Sequence, residues 1–429
     1  MAELSAAFSP GLWQRWPTAQ EQDMVAQEVS CRAGVAEGRC RVARAPFRVC
    51  PLGAHVDHQG GIVSAMALDF GVSLVFLPST GTAVSMTSAT FAGLVEFDLS
   101  AVPPRNEAGG EHGWGVYVCG AALALQQKGY RLHRGLVGHI TAPAGLHESG
   151  VSSSAAVGVA CLLALEDANG LNVTPEENVE LDRLIENGYL GLRNGVLDQS
   201  AILLSRANHL TVIDCAASTH QHMPMPLAPP GGFKVLLAFS GLTAALTASS
   251  GYNGRVEECR RAAQMLAEAA GRPADGAMVL RDITPAEYKA HAADLDEISA
   301  HRAAHYFGEQ ERMAKGKRVW AEGGLHAFGR LMSESGQSSV SNYQVGSEPM
   351  VDLQRILSQQ PGVYGVRFSG AGTRGACVAL VAPEEAEAAV TAAMAAYRGQ
   401  WPALAASSRA CLCDTGDAAG VLDAGLPAP

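Results

Sequence analysis

Three consecutive serines precede an apolar run in Gly150-Val-Ser-Ser-Ser-Ala-Ala156. Glycine opens backbone conformations closed to other residues. Serine is a favoured helix N-cap, and the amides of a helix's first turn have no partner inside the helix. Those amides and the positive end of the helix dipole make an anion site. The hydroxyls of Ser152, Ser153 and Ser154 add contacts for phosphate oxygens or for Mg²⁺. A cap needs one serine rather than three, so the run points to a phosphate cradle; a plain helix cap is the alternative. The spacing GxxxxGK(S/T) is absent, which excludes a Walker A loop.

Two more stretches carry chemistry. Ala45-Pro-Phe-Arg-Val-Cys-Pro-Leu-Gly-Ala-His-Val-Asp-His-Gln-Gly-Gly61 packs Arg48, His55, Asp57 and His58 between glycines. Such a density of hydrogen-bonding groups in a tight turn suits sugar hydroxyls, or else forms a solvated polar turn. Phe368-Ser-Gly-Ala-Gly-Thr-Arg-Gly-Ala-Cys-Val-Ala-Leu380 sets Gly370, Gly372 and Gly375 between two apolar runs. Glycines there let a backbone approach a ligand closely, or form an ordinary hairpin.

The elements that must position these groups are legible as an α+β pattern. Residues 1–40 read as peripheral helix. Short β-like runs alternate with turns over 41–98, a helix spans 114–129, and GLVGHITA (135–142) is a strand. An Ala/Val/Leu helix runs from about Ser153 to Asn169 and is closed by Gly170. Pro175 opens a helix through Gly188, and Val196–Ser205 is again apolar. His220–Gly232, rich in Pro and Gly, reads as a linker. A strand at 233–241, helices at 253–271 and 286–335, strands at 363–369 and 376–381, and a helix at 384–397 follow. The tail after Asp423 reads as disordered. The expected division is 1–220 and 233–423.

With 429 residues the chain suits two domains. Its 31 Lys and Arg are outnumbered by 42 Asp and Glu, and the net charge of −11 gives no electrostatic reason to hold nucleic acid or an anionic membrane. Small anions must instead meet loop amides, helix N-termini or single arginines. No run of about 18 apolar residues suggests a membrane span, and the N-terminus lacks the pattern of a secretory signal. The 10 Cys show no zinc-like spacing and read as reduced core thiols. A cytoplasmic location is expected, with weak amphipathic character at the N-terminus as the only hint of a transit peptide.

Taken together and in this order, the three stretches resemble the signature motifs of the GHMP kinases. The first resembles the galactokinase version, roughly Gly-Arg-Val-Asn-Leu-Ile-Gly-Glu-His-Thr-Asp-Tyr, and the likeness covers about residues 41–400. Longer runs, among them DRLIENGYLGLRNGVLDQSAILLS, AAHYF and PGVYGVRFSGAGTRG, resemble the branch acting on D-galacturonate. The resemblance implies an N-terminal domain like ribosomal protein S5 domain 2, a ferredoxin-like C-terminal domain and an active site between them. It also implies transfer of a phosphoryl group from ATP, with Mg²⁺, to the anomeric hydroxyl of a sugar acid. Asp198, in Asn-Gly-Val-Leu-Asp-Gln, matches the family's catalytic aspartate and Arg48 its transition-state arginine. Ser154 and Glu186 match the Mg²⁺ ligands. Glu148, Ser149, Gly150, Val151, Ser152, Ser153, Ser154, Gly370 and Gly372 fall on nucleotide-binding stretches. His55, Asp57, Gly195 and Tyr252 match sugar contacts.

Departures from the galactokinase pattern bear on the acceptor. Ala54 stands where galactokinases have Glu, which removes a negative charge that would repel a C6 carboxylate. Arg193, His58 and Arg374 replace uncharged or different residues; Arg193 and His58 are the candidates to meet the carboxylate, and Arg374 is assigned to structure or to nucleotide phosphates. Arg255, Arg260 and Arg261 read as a solvated helix face. A kinase for galactose, arabinose or glucuronate and a non-catalytic sugar sensor are the rival readings. The expected partners are a small sugar acid and ATP, and the expected assembly is a monomer or weak homo-oligomer.

Overall fold

The computed structural model describes residues 16–35, 40–109, 113–143, 150–226, 232–242 and 251–423. Glu148, Ser149, the first fifteen residues and the tail after Asp423 lie outside the described residues. Along the chain, α1 (Ala19–Arg32) precedes β1 (Arg41–Val49), β2 (Ile62–Pro78), β3 (Ala83–Ser88), β4 (Val95–Asp98), α2 (Val116–Gln127) and β5 (Leu136–Thr141). Next come α3 (Ser153–Asn169), α4 (Pro175–Arg183), α5 (Leu197–Leu204), β6 (His209–Asp214), β7 (Thr219–Pro224) and β8 (Lys234–Phe239). The second half holds α6 (Tyr252–Ala269), α7 (Pro285–His291), α8 (Glu297–Ala321), α9 (Leu325–Ser341) and α10 (Glu348–Ser358). It ends with β9 (Val363–Phe368), β10 (Ala376–Val381), α11 (Ala386–Gln400), β11 (Arg409–Cys413) and β12 (Gly420–Asp423).

The strands form two sheets, as an α+β chain requires. The first runs β12-β1-β2-β5-β3-β4, with β6 and β7 added along the start of β2. The second runs β11-β8-β10-β9 and is antiparallel throughout. β12 pairs with β1, so the chain's last strand closes the first sheet although the division read from sequence places it in the second unit. The span His220–Gly232, expected as a linker, begins instead with strand: Thr219–Pro224 pairs with β6 over six positions. Its residues are mostly exposed and polar, so it carries no apolar alternation to betray it.

Burial explains the long middle helices. α3 is apolar nearly all round and buries Ala155, Ala156, Val159, Leu162 and Leu165 against the first sheet. The same apolar cluster continues into α8 and α9 through Met313, Trp320, Leu325 and Phe328, which joins the two halves behind the motif loops. Arg48 and the Ser152–Ser154 run are carried on the ends of elements anchored in this cluster.

Candidate active site

Arg48 lies near the end of β1, where the pairing with β2 shifts register between Pro46 and Arg48. A Cβ on Gly71 would come within 2.1 Å of the Ala45 carbonyl oxygen, so only glycine permits this close crossing. Such irregularities re-aim a side chain. The Arg48 Nε donates to Asp198 Oδ1 at 2.8 Å, and Nη2 lies 2.6 Å from the same oxygen. Nη1 donates to the Gly150 carbonyl at 3.4 Å. The arginine side chain is 5% exposed and the aspartate 24%. One buried guanidinium thus touches both the carboxylate and the Ser-rich loop. Asp198 stands in the first turn of α5.

The two glycine-rich loops pack back to back. Gly150 has φ 74°, and a Cβ there would lie 2.6 Å from the Ser369 carbonyl oxygen. Ser369 Oγ donates to the Gly150 carbonyl at 2.8 Å, while Gly370 faces Gly150 so closely that a Cβ would meet its oxygen at 2.8 Å. Gly372 packs instead against Phe368 and Val345. Ser152 is the residue before α3, as expected, but it is left-handed (φ 62°) and its side chain does not cap the helix. Its hydroxyl is buried without a hydrogen-bond partner. Val151 is fully buried. A helix start with no side-chain cap and an unpartnered buried hydroxyl beside it matches an anion site better than a plain cap.

Ser154 Oγ donates to Glu186 Oε1 at 3.2 Å, and Asn194 Nδ2 donates to Glu186 Oε2. Glu186 sits in a π-helical turn, Leu184–Tyr189, that continues α4; such turns recur at functional sites. Burial, followed by the charge of Asp198, pushes the Glu186 carboxyl up to about 7. Four residues earlier Asp182 is fully buried with both carboxyl oxygens lacking a hydrogen-bond partner; burial, then Glu186 and Asp198, raise it well above the usual range. This acidic cluster is short of positive charge, so Mg²⁺ fits it. Among the described residues no group of three or more His, Cys, Asp and Glu could hold a metal; Ser154 and Glu186 would be protein ligands, with phosphate oxygens completing the shell.

The sugar turn lies on the other side of Asp198. Leu197 N donates to Asp57 Oδ2 at 3.3 Å. A Cβ on Gly195 would lie 2.5 Å from Asp57 Oδ2 and from the His58 nitrogen, so glycine is required where the two loops meet. His55 is left-handed (φ 60°) and buried, its Nε2 has no hydrogen-bond partner, and its ring stacks on Tyr343 at 4.4 Å. His58 lies 3.1 Å from the Tyr343 hydroxyl through Nε2 and 3.0 Å from Gln59 Nε2 through Nδ1. The amide donates, so Nδ1 accepts and Nε2 carries the hydrogen. Tyr252, at the start of α6, meets His58 edge-on at 6.1 Å.

Arg193 and His58, the candidates to meet a carboxylate, differ in their surroundings. The Arg193 guanidinium pairs with Glu257 on the surface, both side chains about half exposed, and only its backbone NH joins the site region, donating to Asn253 Oδ1 at 3.1 Å. Burial pushes His58 down to about 3, so it is neutral and offers a hydrogen bond, not a charge. Arg255 is not a solvated residue: it donates to the carbonyls of Tyr343 and Gln344. Ala54 is buried among apolar neighbours at 6% exposure. Sequence reasoning gave Asn194, Asp182 and His305 no role although each lies within a quoted run, and Tyr343 lies in none of them.

Asp57 yields a pH prediction. Burial, then Asp198, raises its carboxyl to about 6 from an ordinary 3.8. A raised acid stabilises the fold fully below its unfolded value, and that contribution is lost as pH rises through about 6. Asp57→Asn cannot ionise, so thermal denaturation should show its stability relative to the unmodified protein improving between pH 4 and pH 7. A difference that stays flat over this window contradicts the assignment.

Residues 116–206 match the GHMP kinases N terminal domain and residues 320–399 the GHMP kinases C terminal region. The chain is 47% identical over 424 residues to the galacturonokinase of Arabidopsis thaliana, covering 95% of this chain and 99% of that one. The chain belongs to the GHMP kinase family. It is also 33% identical to the galactokinase of Roseiflexus sp. (strain RS-1) over 342 residues, 79% of this chain and 83% of that one. Among solved structures, Lactococcus lactis galactokinase complexed with galactose matches with a TM-score of 0.83 at 26% identity, covering 92% of this chain and 98% of that one. The GHMP kinase fold thus extends over nearly the whole chain; within it Arg48 of the first motif reaches Asp198 and Gly150 of the second motif, and the third motif packs on Gly150.

Proposed function

We propose that this GHMP kinase transfers the γ-phosphoryl group of ATP to the anomeric hydroxyl of D-galacturonate, giving α-D-galacturonate 1-phosphate and ADP. The observation that carries the reading is Arg48, which contacts the carboxylate of Asp198 on one side and the Gly150 loop on the other. Near full-length identity to a galacturonokinase supports the choice of acceptor.

Asp198 accepts the proton of the sugar's O1 as that oxygen attacks the γ-phosphorus. The O1–P bond forms, the bond from phosphorus to the β,γ-bridging oxygen breaks, and ADP leaves. Arg48 orients Asp198 through the ion pair and offsets charge on the transferring group. The amides of Gly150–Ser154 and the start of α3 hold the phosphates, with Gly370 bracing the loop. Ser154 and Glu186 would hold Mg²⁺, which would offset phosphate charge there. Asp57 accepts from sugar hydroxyls, while His55, Gly195 and Tyr252 line the sugar's place.

Ala54 removes a carboxylate that would face the substrate's own. The counter-charge comes from the guanidinium groups of Arg367 and Arg255, not from Arg193: after burial itself, both press the His55 ring toward its neutral form. A carboxylate gains from their field, and the unpartnered His55 Nε2 is available to donate to it. All ten cysteines are free, and no helix among the described residues is long and apolar enough to cross a membrane; a reducing cytoplasm suits both.

Steady-state ADP release over galacturonate, galactose, arabinose and glucuronate tests the reading. Galacturonate should give the highest kcat/KM. Faster turnover of galactose would overturn the acceptor, and no turnover with any sugar would favour a sensor that binds without reacting.

A further inference from the structure

The AAHYF run lies on α8, far from the reacting groups in sequence, yet α8 directs a row of polar side chains at the sugar turn. His305 Nε2 lies 2.9 Å from the Ala54 carbonyl oxygen. A carbonyl only accepts, so Nε2 carries the hydrogen, and Nδ1 accepts from Ser338 Oγ at 3.0 Å. One turn further, Glu309 Oε2 accepts from Gly53 N at 2.8 Å and from Ser335 Oγ at 2.9 Å. Arg312 Nε donates to Glu309 Oε1 at 2.8 Å. Gln310 then clasps Ile62 through both backbone groups, at 2.9 Å and 3.2 Å. His305 and Glu309 are almost completely buried.

These contacts flank the strained part of the turn. Gly53 has φ 84° and His55 φ 60°, and left-handed backbone in a non-glycine residue persists only where its surroundings hold it. The peptides held are Leu52–Gly53, through the Gly53 nitrogen, and Ala54–His55, through the Ala54 carbonyl. We infer that His305, with Glu309 and Gln310, is a positioning residue of the phosphoryl transfer: α8 fixes the turn that presents residue 54, His55 and Asp57 to the sugar. The inference rests on the kinase reading for its assay, not on which sugar is the acceptor.

The test is steady-state kinetics of His305→Ala and His305→Gln with the sugar the unmodified enzyme turns over best, so that failure of galacturonate as substrate leaves it intact. In His305→Ala, losing the hydrogen bond that holds the Ala54 carbonyl should raise the sugar KM about tenfold while the ATP KM stays unchanged. His305→Gln, whose amide can donate to the same carbonyl, should recover most of the loss. A sugar KM that does not move, or an ATP KM that rises by the same factor, overturns the inference. Should His305→Ala fail to fold, Gln310→Ala at its partly exposed position decides: a selective rise in sugar KM supports the inference, and an unchanged one overturns it.

Discussion

Replacing Asp198 by Asn will lower kcat by about a thousandfold while nucleotide affinity changes little. The side chain keeps its shape and can still accept from Arg48 through its amide oxygen, so the turn and α5 should stay in place. What disappears is the group that takes the sugar proton. Its neighbours cannot substitute: Glu186 is engaged by Ser154 and Asn194, and Asp57 by the Leu197 amide. Single-turnover kinetics and ADP calorimetry separate the two effects. A kcat reduced less than tenfold would remove Asp198 from the role of base.

The second large effect concerns Arg48. Arg48→Ala should cost about a thousandfold in kcat and also lower the melting temperature. The loss leaves Asp198 without its cation, leaves the Gly150 carbonyl with Ser369 as its donor, and opens a gap where a nearly buried side chain stood. Arg48→Lys retains the charge but cannot match the fork that reaches both partners, so it should recover the melting temperature more than the rate. Arg48 and Asp198 act as a unit, and the double variant should therefore be barely slower than Arg48→Ala alone. Multiplicative losses would show that the two residues act separately.

Local chemistry was legible in the sequence wherever local rules decide structure. The helix Ser153–Asn169 closed by Gly170 was readable at both ends because serine, apolar periodicity and a left-handed glycine mark those ends. The acidic and basic members of the site could be located because they stand in glycine-rich stretches whose spacing matches a family. β7 was hidden because an exposed, polar edge strand has the composition of a loop, and β12 because its partner β1 lies almost four hundred residues earlier.

Charge was legible but its partner was not. Arg193 looked available to a carboxylate because Glu257, which pairs with it, is 64 residues away. His58 could be read as a carboxylate contact, but whether as cation or hydrogen-bond donor depends on its burial beside Tyr343 and Gln59. The histidine on α8 that holds the sugar turn stood in the AAHYF run but without a role, since a polar residue on a buried helix face is defined only by what it meets.

The account stands most directly on where the phosphate goes. Incubated with ATP, Mg²⁺ and D-galacturonate, the enzyme should produce a single sugar phosphate whose ³¹P resonance couples to the α-anomeric proton, and Asp198→Asn should produce almost none. A phosphate on any other oxygen, or product from galactose in preference to galacturonate, would contradict it.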